Sequence, residues 1–370
     1  MKFGLSDEQR LLDQSVRRFV AERLPIARVR ELRDASAAQR EPQANGASGA
    51  WKELAELGVV GCLVPEEFGG AGLGVFEAAV IATALGHGAA PLPFLGPCVM
   101  APLLLRELGS QAQQRRWLPV LAAGAARIAV AAAERVTRRQ DAGVCCEAGK
   151  LSGTALFVID GVGADAFLVP TGEDLWLVPA AAPGLEIVPL PTLDATRSLA
   201  ELRFSAVAPA ERIGASGAAG PALDRAIDVA RVLLAADLLG CCDRALELAV
   251  AYAMQRRQFE RPIASFQAVK HLCAEMAAAI EPARSLVWYV AHAFDALLEE
   301  AALDAALAKA HLAEVATFVV RTATEVHGGI GFTDACDLHF WFKRAALGRQ
   351  LLGGPSLLRE RAAVLQGWAT

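Results

Sequence analysis

The sequence predicts an α+β fold in three successive parts: an N-terminal helical domain, a middle antiparallel β-domain and a C-terminal four-helix bundle. Three observations carry this. Apolar residues recur at spacings of three and four near both ends of the chain. Between them, from about Arg127, short apolar runs alternate with glycines and other turn residues. From Pro221 the helical spacing returns. The expected domains are residues 1–120, 121–220 and 221–370.

Each element follows from its residues. Ser6-x-x-Gln9 is a capping box, and Leu12, Val16 and Phe19 then form one apolar face of a first helix. A second apolar stretch runs from Trp51 to Val64, where Pro65 stops any helix. The loop Pro65 to Gly72 is glycine-rich, and Phe76 to Gly86 and Val99 to Leu108 are further helix candidates. Strands are predicted at 128–132, 151–159, 166–170, 175–178, 185–188 and 202–206. Ile227, Ala230, Leu234, Leu238, Cys241, Ala245, Leu248 and Tyr252 then line one long helix, with Asp228 off that line. Residues 267–294, 303–325 and 338–352 complete the predicted bundle.

Composition excludes several classes. The 370 residues are 54% hydrophobic and 21% charged, which suits a globular chain with sizeable cores. The net charge is −5 and no run of five basic residues occurs, which argues against a nucleic-acid partner. Ala78 to Leu105 carries no charge, but Pro91, Pro93, Pro97 and Pro102 break it into a buried helix, a loop and a second helix instead of a membrane span. Met1 to Glu8 lacks the pattern of a signal peptide. The eight cysteines include no Cys-x-x-Cys, so reduced thiols and a cytoplasmic location are expected. His327 and His339 lack zinc-ligand spacing, and no metal site is expected.

Two C-terminal stretches carry the functional signal: Tyr252-Ala-Met-Gln-Arg-Arg-Gln-Phe-Glu-Arg-Pro-Ile-Ala-Ser-Phe-Gln267, followed by His271, and Glu325-Val-His-Gly-Gly-Ile-Gly-Phe-Thr333. They resemble the paired signatures of the acyl-CoA dehydrogenase family, flavoenzymes that desaturate acyl-CoA thioesters. Leu57 to Gly70 resembles the family's N-terminal signature. The resemblance implies FAD as cofactor, acyl-CoA as substrate and an electron-transfer flavoprotein as acceptor. It implies that Arg256 and Phe259 reach the FAD of a neighbouring subunit; a planar guanidinium suits a pyrophosphate. Gln267, Glu325, Gly328 and Gly329 are carried with them as cofactor-binding candidates.

The chain departs from the family pattern at informative places. Glu260 stands where the family usually has glycine, and Glu325 where it usually has glutamine. Ala133 to Arg138 replaces a Thr-Glu-Pro-x-x-Gly-Ser-Asp type loop that helps hold the flavin and substrate. Phe157 replaces a tryptophan that shields the flavin ring. Desaturation needs a base for the α-proton, and the family uses a carboxylate. Counted from the motifs, its two positions fall on Leu352 and Ala230, and neither residue titrates. Asp228 and Arg231 flank the second position and are carried as substrate-binding candidates; a plain i, i+3 ion pair is the alternative. Asp228, Glu325 and Asp334 are each expected as helix-surface or capping carboxylates.

The resemblance therefore implies a subunit without its own base, working with a homologous catalytic subunit, as in bacterial α2β2 assemblies that act on steroid side-chain CoA esters. The alternatives are an active homo-oligomer with an unrecognised base and a scaffold that has lost FAD.

Overall fold

The computed structural model describes residues 4–39, 48–137 and 139–369. Met1 to Phe3 and Arg138, both considered above, lie outside the described residues. In chain order the helices α1 (Asp7–Arg23), α2 (Ile26–Gln39), α3 (Ser48–Glu56), α4 (Val75–His87), α5 (Ala101–Leu108) and α6 (Gln111–Ala122) come first. The α1 start is the predicted box: Ser6 accepts the Gln9 amide, and Gln9 accepts the Ser6 amide. The stretch from Trp51 to Val64 is helical only to Glu56, because the chain turns at Gly58, whose φ is +76°.

The middle region holds β1 (Ile128–Val130), α7 (Ala133–Val136), β2 (Gly143–Glu147), β3 (Lys150–Ile159), β4 (Ala166–Thr171), β5 (Asp174–Pro179), β6 (Leu185–Leu190), β7 (Leu199–Val207) and β8 (Glu211–Ile213). There follow α8 (Ala219–Gln255), β9 (Arg257–Gln258), β10 (Arg261–Pro262), α9 (Gln267–Asp295), α10 (Ala301–His327), α11 (Leu338–Gln350) and α12 (Pro355–Leu365). Helices α8 to α11 are the four expected. Helix α12 is an addition, begun by a proline at its first position and packed on α10.

The chain divides into two compact units. One comprises Arg30–Ala78 and Pro91–Ala230. Its strands form two four-stranded sheets, β1-β4-β5-β8 and β2-β3-β7-β6. Both sheets feed one core, where Phe167 and Val178 from the first meet Leu151, Leu202 and Val207 from the second. One pairing departs from the antiparallel expectation: β1 runs parallel to β4. Parallel neighbours need a long connection, and α7, β2 and β3 supply it here.

The other unit comprises Met1–Val29, Ala79–Ala90 and Arg231–Thr370. Here α4 and α8 meet backbone to backbone. A Cβ on Gly86 would lie 2.1 Å from the Asp237 carbonyl oxygen, and one on Gly240 would lie 2.0 Å from that of Thr83. Beside this contact Arg344 of α11 pairs with Asp237 at 2.6 Å, both nearly excluded from water, and donates a further bond to the Ala90 carbonyl. Trp341 donates to the His87 carbonyl at 2.9 Å. Helix α10 packs against α9, α11 and α12. No helix among the described residues is long and apolar enough to cross a membrane.

Helix α8 has no solvent face between Ala226 and Cys242. A helix enclosed on all sides must be apolar around its whole circumference, which this one nearly is. Asp228, expected on a helix surface, is 2% exposed, and Arg231 is 3% exposed.

Candidate cofactor-facing site

The two C-terminal motifs meet in space. Tyr252, near the end of α8, stacks on His327, the last residue of α10, with ring centroids 4.6 Å apart. His327 is fixed in turn, since its Nδ1 donates to the Ala323 carbonyl at 2.7 Å.

The hairpin is a two-residue turn, and both turn residues have positive φ: Phe259 at +50° and Glu260 at +63°. That is the geometry of a type I′ turn, which favours glycine or asparagine. The usual glycine at position 260 is therefore a conformational requirement that Glu260 meets with strain. The turn pushes Phe259 outward until its side chain is 86% exposed. Phe266 meets it edge-on at 6.0 Å, and the Arg261 guanidinium lies 4.1 Å over the Phe266 ring. Arg257 donates to the Glu260 carbonyl and closes the turn. Arg256, Arg257 and Arg261 are all exposed. The sequence reading singled out Arg256 alone, although the Arg256-Arg257-x-x-x-Arg261 spacing was visible. Gln267 opens α9 and lies 3.5 Å from His271, one turn on.

At the end of α10, Gly328 has a φ of +65°, and an added Cβ on Gly331 would lie 2.9 Å from the Thr324 carbonyl oxygen. Gly329 has no such reason: nothing lies within 4 Å of where its Cβ would be. Its bare backbone faces open space. Glu325 is exposed one turn earlier. The exposed guanidiniums of Arg256, Arg257 and Arg261 and the uncovered Gly329 backbone are donors of the kind that suits a pyrophosphate-bearing group.

The two positions counted from the motifs, Ala230 and Leu352, are both shielded from solvent. Ala230 is fully buried in α8. Leu352 follows α11 in a tight turn, with a φ of +54° and a buried side chain. The turn is held by its backbone: Arg231 donates from Nε to the Leu352 carbonyl at 2.9 Å, and the wholly buried Lys309 donates to the Arg349 carbonyl at 3.3 Å. Arg231 thus serves the turn at the base position. Asp334 sits outside that turn and pairs with His339 at 3.0 Å.

In the other unit, the segment that replaces the flavin-ring loop is not loose. Glu134 accepts the Leu156 amide at 2.7 Å. Burial is the main influence on its carboxyl, and it raises the pKa above the usual carboxylate range. Arg135 grips Asp224, in the first turns of α8, with two bonds of 2.8 Å, and reaches Glu173 at 3.0 Å. The Arg139 guanidinium lies 4.4 Å over the Phe157 ring. Phe157 itself has a φ of +51° at an irregularity in the β3–β7 ladder. The Glu134, Arg135 and Arg139 side chains are thus engaged within their own unit.

Comparison with known proteins accords with this geometry. The model of the acyl-CoA dehydrogenase N-terminal domain matches residues 6–125, and that of the C-terminal domain matches residues 221–363. Acyl-CoA dehydrogenase IpdE2 of Mycolicibacterium smegmatis is 32% identical over 354 residues, covering 95% of this chain and 96% of its own. The solved ChsE4-ChsE5 complex from Mycobacterium tuberculosis includes a chain that superposes with a TM-score of 0.88 at 27% identity, covering 100% of both chains. A steroid ACAD variant, Tcur3481-Tcur3483, gives a TM-score of 0.86 at 30% identity over 98% of each chain. Two family models covering well over half the residues, and a relative matched along nearly its whole length, make this chain a member of the acyl-CoA dehydrogenase family.

Proposed function

We propose that this chain is a subunit of a heteromeric acyl-CoA dehydrogenase, and that a homologous partner supplies the catalytic base and the flavin-ring pocket. One observation carries the reading. The hairpin displays Arg256, Arg257, Arg261 and the exposed Phe259, while Leu352 and Ala230, the positions counted for the base, carry no titratable group. The ChsE4-ChsE5 complex, one chain of which superposes on this one, supports it. In this reading Arg256 and Phe259 hold the pyrophosphate end of FAD across the subunit interface. Gln267, Gly328 and Gly329 line that end, and Glu325 accepts a hydroxyl hydrogen there. FAD, when bound, supplies the hydride acceptor for the β-carbon. Asp228 and Arg231 act from beneath the acyl site; Arg231 fixes the turn at position 352. The division into residues 1–120, 121–220 and 221–370, a cytoplasmic location and an electron-transfer flavoprotein acceptor belong to the same proposal.

A second reading, an active homo-oligomer, is favoured by Glu134. Burial raises its carboxyl pKa, a property suited to a general base. One preparation separates the readings. Purified alone, the chain is expected to be colourless and inactive toward acyl-CoA with an artificial acceptor. Co-expressed with its partner, it is expected to yield a yellow, active complex. A yellow, active preparation of the single chain that loses turnover in Glu134→Gln would establish the homo-oligomer instead. Within the complex, Leu352→Glu is expected to leave flavin content unchanged and to add little turnover, because the flavin-ring side of this chain stays closed.

A further inference from the structure

A separate feature lies along the outer face of α10. Glu314, Phe318, Arg321, Thr322 and Glu325 recur at helical spacing and, with Arg349 from α11, surround a cleft of about 410 Å³. All belong to one compact unit. Two carboxylates and two guanidiniums line the cleft. Glu314 is held by Arg359 of α12, and that hydrogen bond, with Arg349 and His311 nearby, depresses the pKa of its carboxyl. Its charge is thus already compensated. No ion pair or hydrogen bond of the Arg321 guanidinium occurs among the described residues. The Nη1 of Arg349 is shut away from solvent with no acceptor among them. A buried donor without an acceptor is costly, and more so when it is charged. The Arg349 backbone is meanwhile fixed by the Lys309 bond to its carbonyl, so the guanidinium swings from a rigid base.

We infer that this cleft binds a phosphoryl-type dianion between Arg321 and Arg349. Two guanidiniums on adjacent rigid helices can grip the oxygens of a tetrahedral dianion, and turning toward it gives the orphaned Arg349 donor an acceptor. Thr322, buried, lines the same cleft. Glu325, one turn beyond Arg321, repels a second anionic group and accepts a hydroxyl or amino hydrogen from the rest of the ligand. The partly exposed Phe318 ring offers a flat apolar platform at the other side. The chemistry selected is a single phosphoryl group on a hydroxylated or planar body. This site shares Glu325 with the proposed flavin site but goes beyond it, since it rests on Arg321 and Arg349, which that site does not use.

Isothermal titration of the full chain with inorganic phosphate, at low chloride, tests the inference. Saturable binding is expected. Arg349→Met and the exposed-site variant Arg321→Gln should each weaken it about tenfold or more, as expected for loss of a charge-assisted contact. Arg256→Ala, in the hairpin, should leave it unchanged. No saturable heat with the wild-type chain would overturn the inference. So would wild-type affinity in both cleft variants, provided their melting temperatures match the wild type. Loss of binding in Arg256→Ala, or competition of phosphate by FAD, would also overturn it, since the anion would then belong to the cofactor-facing site.

Discussion

The Phe259–Glu260 turn shows how one residue choice sets both strain and display. An L-residue in the left-handed region costs on the order of 1 kcal/mol relative to glycine. Glu260→Gly is therefore expected to stabilise the chain by about 1 kcal/mol, read as a raised midpoint in urea unfolding. Phe259→Gly would relieve similar strain but remove the exposed ring, which marks the side chain as the reason the strain persists. Sequence alone showed the substitution at position 260 as a change of chemistry. The backbone angle, invisible in sequence, adds a conformational one. A second residue-scale prediction concerns Glu247. The hydrogen bond from His87, at 3.0 Å, helped by Arg244, holds its carboxyl at about 2. A depressed folded-state pKa contributes stability above the unfolded value near 4.5, lost as pH falls through about 2. Glu247→Gln should thus lower the melting temperature at pH 6 and leave it unchanged near pH 2.

At the scale of elements, the packing of α4 on α8 depends on two glycines, Gly86 and Gly240. Gly240→Ala would place a methyl 2.0 Å from the Thr83 carbonyl, where neither backbone can give way cheaply. A loss of about 3 kcal/mol is expected in chemical denaturation, from overpacking. Neither glycine stood out in the sequence, because close approach between distant segments leaves no local pattern. Periodicity did reveal α1, α4, α5 and α8 to α11, and alternation revealed most strands. The edge strand β2 (Gly143–Glu147) and the short β8 (Glu211–Ile213) were missed; β2 is polar and exposed on alternate residues, and β8 is three residues long. Helix α12 was missed because its apolar residues form only a narrow stripe, Leu358 and Ala362.

At the scale of the molecule, the motifs in sequence located the hairpin, the end of α10 and the apolar base positions. What they could not reveal was the rebuilt segment around Glu134, Arg135 and Arg139. In sequence it reads as loss of a proline, a glycine and a serine. Folded, it is a set of new contacts to Leu156, Asp224, Glu173 and Phe157. A segment merely decayed would let flavin bind weakly to the single chain. A segment committed elsewhere should leave the single chain colourless even with added FAD. Absorbance near 450 nm after dialysis against FAD distinguishes the two, with colour gained only in the co-expressed complex.

The turn that bears Leu352 is secured through carbonyl oxygens, by Arg231 on one side and Lys309 on the other. Neither bond consults the side chain at position 352. The backbone of the turn is therefore held in the same way whichever side chain stands at position 352. Duplicated copies of such a gene can diverge into a reactive and an unreactive form while remaining the same shape, and so remain able to assemble with each other.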